Sequence, residues 1–78
     1  MEEKIVAYVI MIVEVGKEYE VLEEVKKFSE VTEARVVYGE FDLVVRLEVN
    51  SIKDLERVVM GLRRIKGVLR TATLISAT

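Results

Sequence analysis

The sequence predicts an α+β fold in the order β-α-β-β-α-β, and three observations carry that prediction. The hydrophobic period switches from alternation to a helical repeat and back, twice along the chain. A Gly39-Glu40 pair separates two alternating apolar runs near the middle. The two halves also match: Val21, Leu22, Val25, Phe28 and Val31 correspond, at one constant offset, to Val58, Val59, Leu62, Ile65 and Val68.

Lys4 to Val15 is apolar on both faces. Ile5, Ala7, Val9, Met11 and Val13 point one way, and Val6, Tyr8, Ile10 and Ile12 the other, as in a central strand covered on both sides. Gly16 breaks the pattern. Lys17 to Ser29 then reads as a helix with Val21, Leu22, Val25 and Phe28 on one face. Glu18, Glu20, Glu23, Glu24, Lys26 and Lys27 largely fill the rest, a solvated face. Val31 to Tyr38 and Phe41 to Val49 read as strands, with Gly39 at the first central position of a two-residue type II′ turn. That register pairs Tyr38 with Phe41, Val36 with Leu43, Ala34 with Val45 and Thr32 with Leu47 on one apolar face. The opposite face pairs Val37 with Asp42, Arg35 with Val44, and Glu33 with Arg46, a cross-strand pair of opposite charge.

Ser51 with Asp54 marks the start of a second helix. Its apolar face is Ile52, Leu55, Val58, Val59, Leu62 and Ile65. Gly61 inside it costs up to about 1 kcal/mol relative to alanine. It is either tolerated strain or the mark of a neighbour lying close to the backbone. Gly67 ends the helix and Val68 to Ser76 forms the last strand. Two right-handed βαβ units joined by a hairpin give a ferredoxin-like fold, a four-stranded antiparallel sheet with both helices on one face.

That arrangement leaves the other sheet face without a lid. The first strand puts at least four large apolar groups on each face, each worth roughly 1.5–3 kcal/mol when buried. Leaving one set in water forfeits an amount comparable with a small domain's whole stability of about 5–15 kcal/mol. With 78 residues the chain forms one domain, residues 1–78, and with 51% apolar residues and no cysteine it has surface to spare and no disulfide to help. Two sheets packed face to face, a dimeric α+β barrel, are the expected resolution.

Composition narrows function. Twelve basic against 14 acidic residues, net −2, argue against electrostatic binding to nucleic acid or an anionic membrane. The longest apolar run, Ile5 to Val13, is half of the ~18 residues a span requires, and the charged Glu2, Glu3 and Lys4 before it do not make a signal peptide. A cytoplasmic location is expected. Without His or Cys, transition-metal sites and the common nucleophile–base pairs are excluded, and no cofactor motif is present. Abundant Glu, Lys and Arg with few thermolabile residues point to a thermophile.

Asp42 is the polar residue whose position raises a question. It either satisfies backbone N–H groups at the hairpin or recognises a cationic group, with Gly39 letting a ligand approach the backbone. At this point the sequence resembles a known family. Residues 5–49, "IVAYVIMIVEVGKEYEVLEEVKKFSEVTEARVVYGEFDLVVRLEV", and the later "IKGVLRTATLI" are similar to the effector-binding (RAM) domain of the Lrp/AsnC transcription regulators. "YGEFD" resembles that family's glycine-acid loop and is the most distinctive part.

The resemblance implies a face-to-face dimer, assembly of dimers into rings, commonly octamers, and amino-acid effectors held in clefts between dimers. Carried over by position, Gly39, Glu40, Phe41 and Asp42 form the ligand loop, with Thr71 and Thr73 as further candidates and Tyr38 adjacent. Full-length members place a helix-turn-helix domain ahead of this module. Here the first strand begins at about residue 4, so the sequence reads as a stand-alone module to which DNA binding is not transferred. Two alternatives stay open. One is an assembly partner of a full-length regulator with no ligand of its own. The other is a cofactor-independent enzyme of the dimeric ferredoxin-like kind, which would have to use Asp42, Glu40, Tyr38 or an arginine.

Overall fold

A computed structural model of the chain describes residues 4–78; Glu2 and Glu3, the charged lead-in to the first strand, lie outside the described residues. The elements are β1 (Ile5–Val13), α1 (Glu18–Val25), β2 (Val31–Val36), β3 (Leu43–Val49), α2 (Ile52–Arg63) and β4 (Val68–Ile75). They form one antiparallel sheet in the order β2-β3-β1-β4, as two βαβ units joined by a hairpin require. Among the described residues, no helix is long and apolar enough to cross a membrane.

Strand alternation decides the core. Ala7, Val9, Met11 and Val13 of β1 and Leu43, Val45, Leu47 and Val49 of β3 are buried on the helix side. They meet Val21 and Val25 of α1 and Leu55, Val58 and Leu62 of α2. On the other face Val6, Ile10, Ile12 and Val44 are half-buried, while Tyr8 and Leu74 are exposed. No element of the chain covers them.

The repeat between the halves extends to the backbone. After α1, Phe28 N–H donates to Val25 O and Val31 N–H to Phe28 O (3.2 and 3.1 Å). After α2, Ile65 N–H donates to Leu62 O and Val68 N–H to Ile65 O, again at 3.2 and 3.1 Å. Each helix thus tightens into a short turn before its outgoing strand. This is why α1 stops at Val25 rather than continuing to Ser29. Ser51 caps α2 as expected, its Oγ accepting from Asp54 N–H at 3.1 Å, although Ile52 is half-exposed rather than part of the core.

Gly61 resolves toward close approach. A Cβ there would lie 2.8 Å from Cε2 of Phe28. Gly61→Ala is therefore expected to gain nothing from its better helix propensity, because the phenyl ring must move. Pairing it with Phe28→Leu should recover the gain of up to about 1 kcal/mol, read as a shift in urea midpoint at constant slope.

The β2–β3 register is correct at Val36–Leu43, Arg35–Val44, Ala34–Val45 and Glu33–Arg46 and then departs from expectation. Leu47 pairs with Val31, not Thr32, because the register shifts between Val31 and Glu33. The shift brings an apolar residue opposite Leu47 and leaves Thr32 out, where its hydroxyl accepts from Arg46 Nη1 at 2.8 Å. The expected Glu33–Arg46 ion pair does not form. Arg46 pairs with Glu48 and Glu33 with Arg35, each at 2.6 Å along its own strand. Glu48 and then Tyr8 hold the Arg46 guanidinium above its ordinary pKa.

Glu30, in the turn before β2, reaches Arg57 of α2 at 2.9 Å. That hydrogen bond, with a smaller contribution from its own backbone N–H, lowers the Glu30 carboxyl pKa. A depressed folded pKa stabilises the fold above the ordinary carboxylate range and loses that contribution as pH falls through the folded value. Glu30→Gln should therefore be slightly less stable than the parent at neutral pH, with the gap closing in acid. Urea midpoints across that range read it directly. The effect is small because Arg57 is exposed.

Candidate functional site

The connection between β2 and β3 is not the two-residue turn that Gly39-Glu40 suggested. Strand pairing ends at Val36–Leu43, and one further bond, Val37 N–H to Asp42 O at 2.9 Å, closes a four-residue loop of Tyr38, Gly39, Glu40 and Phe41. Gly39 has φ +127°, far from the roughly +60° of a type II′ turn and open to glycine alone among common residues. Tyr38 is fully exposed, so its expected place opposite Phe41 on the core face is overturned.

The physical reason lies in Asp42, which is bound to β1. Its N–H donates to Met11 O at 2.8 Å, and its Oδ2 accepts from Val13 N–H at 2.8 Å. By the Met11–Leu43 register, Val13 stands opposite residue 41, whose backbone has already left the sheet. The carboxylate replaces the missing carbonyl and satisfies a donor on a residue that is only 4% exposed. Both readings of Asp42 thus meet at one side chain. One oxygen is committed to the backbone, and no protein donor is found for the other.

Around this anchor lies a cleft of about 340 Å³, lined by Glu18, Tyr19, Val36, Val37, Tyr38, Gly39 and Asp42. The start of α1 and the β2–β3 loop meet here because β1 ends beside both. Glu18 and Tyr19 were not singled out in the sequence, where their charge and exposure read as a solvated helix face. Of the loop residues, Gly39 and Asp42 line the cleft, whereas exposed Glu40 and half-buried Phe41 lie outside its lining.

Thr71 and Thr73 are elsewhere. Met11 pairs with Leu43 on one side and Thr71 on the other, so the threonines stand two strand spacings, about 10 Å, from the start of β3. They share a face with Val9 and Met11, the helix side, while Asp42 alternates to the open side. Within one chain the two sets do not line a common site. The threonines border a separate cleft of about 460 Å³ with Val59 and Arg63 of α2 and Arg70 of β4. A wider groove of about 730 Å³ between the helices, over Phe28 and Ile65, has solvated charges of both signs on its walls and contains none of the sequence-predicted residues.

Comparison with known proteins agrees with this geometry. The model of the Lrp/AsnC ligand binding domain matches residues 6–77. The chain is 34% identical over 58 residues to an uncharacterized HTH-type transcriptional regulator of Pyrococcus horikoshii, covering 73% of this chain and 39% of that protein. A second such regulator of the same organism is 33% identical over 71 residues, 90% of this chain and 45% of that protein. The chain therefore spans less than half the length of these curated relatives. Among solved structures, a hypothetical protein from Pyrococcus horikoshii superposes with TM-score 0.88 at 37% identity, covering 95% of this chain and 90% of that one. Escherichia coli AsnC superposes with TM-score 0.89 at 22% identity, 95% of this chain on 51% of that one, which speaks to the fold alone. The chain belongs to the Lrp/AsnC ligand-binding domain family of transcription regulators.

Proposed function

We propose that this domain binds a small amino-acid effector through the Tyr38–Asp42 loop, at an interface between copies of the chain, and so modulates amino-acid-responsive transcription. The observation that carries this reading is the loop itself. Gly39 exposes backbone, and Asp42 is held rigid by two bonds to β1 with one carboxylate oxygen to spare. That oxygen suits an α-ammonium group. Because Thr71 and Thr73 sit about 10 Å away on the other face, a site using both sets takes them from different copies.

The uncovered Val6, Ile10, Ile12 and Val44 face supports the dimer on which such an interface depends, with larger rings built from it. The same face supports a second reading, co-assembly with a full-length regulator without any ligand. Calorimetric titration with the twenty amino acids tests the first reading: one is expected to give heat, and silence from all would sink it. Native mass spectrometry of mixtures with a full-length relative tests the second, where heteromers indifferent to amino acids are expected.

A further inference from the structure

We propose that the cleft between α2 and the edge strand β4 is an oxyanion subsite, with Arg63, Thr71 and Thr73 as its binding groups, taking the carboxylate or phosphate of a small molecule. The inference deepens the effector-binding reading and rests on it.

Three observations converge. First, β4 has β1 as its neighbour and nothing beyond it in the sheet. Ser76 N–H donates to Val6 O at 2.8 Å, so by strand alternation Leu74 and Ala72 also turn their amides toward β1. Thr71 and Thr73 then direct theirs to the free edge. Second, the side chains of Thr71 and Thr73 stand on the helix side, where both border the same cleft as Arg63. Two free amides, two hydroxyls and a guanidinium fork therefore face one space of about 460 Å³. Third, the charge there is of one sign. Arg70, which enters the cleft where the β1–β4 register shifts between Ile12 and Val13, adds a second guanidinium, and the cleft lining contains no carboxylate. The nearest acidic group on α2, Glu56, borders the adjoining groove two turns before Arg63, about 10 Å along the helix axis. Arg63 makes only a long contact to Met60 Sδ at 3.9 Å, so its guanidinium has capacity for an anion.

In a chain of net charge −2, such a cluster of donors is a local reversal of sign. Planar guanidinium groups suit oxyanions because two parallel N–H bonds match two oxygens. The position of Arg63 in the last turn of α2 also favours its charge through the helix dipole, which accounts for one arginine but not for the threonine amides beside it.

The test uses thermal unfolding in sodium acetate and, in parallel, sodium phosphate, against sodium chloride at equal ionic strength. The parent Tm should rise with anion concentration, as linkage to a bound ligand requires. Arg63→Gln should need about tenfold more anion for the same rise, and Arg70→Gln should show a smaller deficit. General salting effects act alike on parent and variants and cancel in the comparison. A response to acetate assigns a carboxylate, and one to phosphate alone a phosphate. Asp42→Asn should keep the anion response while losing amino-acid binding, which separates this subsite from the loop. An identical rise in parent and Arg63→Gln overturns the subsite and leaves the loop reading to its own titration. Stabilisation that follows protein concentration and ignores both anions also overturns it, since a neighbour's carboxylate would then fill the cleft.

Discussion

Ile10→Glu is expected to leave the chain as a soluble monomer, read as the mass of a single chain in sedimentation where the parent gives a multiple. Ile10 lies at the centre of the sheet face that no helix covers, between Val44 of β3 and Ala72 of β4. A carboxylate placed there meets water in the separate chain and costs little. Between two packed sheets it would be buried without a partner, a penalty of several kcal/mol. The neighbouring Met11→Ala should behave in the opposite way. Met11 is fully buried on the helix side, and truncation there costs about 2–5 kcal/mol of stability. That is a large share of a small domain's total. Adjacent residues thus separate folding from assembly. If Ile10→Glu keeps the parent's mass, the face-to-face arrangement is wrong.

Asp42 supplies the second large effect, and the choice of substitution decides what is learned. Asp42→Ala removes the acceptor of the Val13 N–H bond and strands a donor in the core, at a cost of about 1–3 kcal/mol. Lost ligand binding in that variant would be ambiguous. Asp42→Asn keeps a carbonyl oxygen for Val13 while discarding the charge. It should retain most of the parent's urea midpoint and lose amino-acid heat in calorimetry. Equal amino-acid affinity in parent and Asp42→Asn would remove the carboxylate from the ligand contact and leave it a purely structural role.

Much of the fold was legible because apolar spacing maps directly onto faces. The alternation in β1 and β3 named the core side residue by residue, and the repeated apolar set placed both helices. What was not legible depended on backbone departures that spacing does not encode. The bulge at Thr32 and the four-residue loop at Tyr38–Phe41 each arise because a tertiary bond outweighs local turn preference, through Arg46 in one case and β1 in the other. Tyr38 looked like core because an ideal hairpin would have placed it there. At the candidate site, "YGEFD" marked the loop, but Glu18 and Tyr19 are distant in sequence and carry no pattern of their own. Arg63 is similarly hidden among the charges of α2. Its meaning appears only once β4 is seen to leave the Thr71 and Thr73 amides unpaired.

The contact of Phe28 with Gly61 has a consequence for how the chain avoids its own duplicate. Two near-equivalent βαβ halves invite exchange, in which the first helix of one molecule settles into the slot built for the second helix of another. Their apolar sets are matched closely enough that burial alone distinguishes them poorly. The match fails where Gly61 stands, because the first helix has Glu24 at the corresponding position. A ring that fits over a bare backbone cannot fit over a glutamate stem, so the swapped arrangement meets a steric clash and the correct one does not. The glycine that weakens its own helix thereby acts as a key, telling the left half of the molecule from the right.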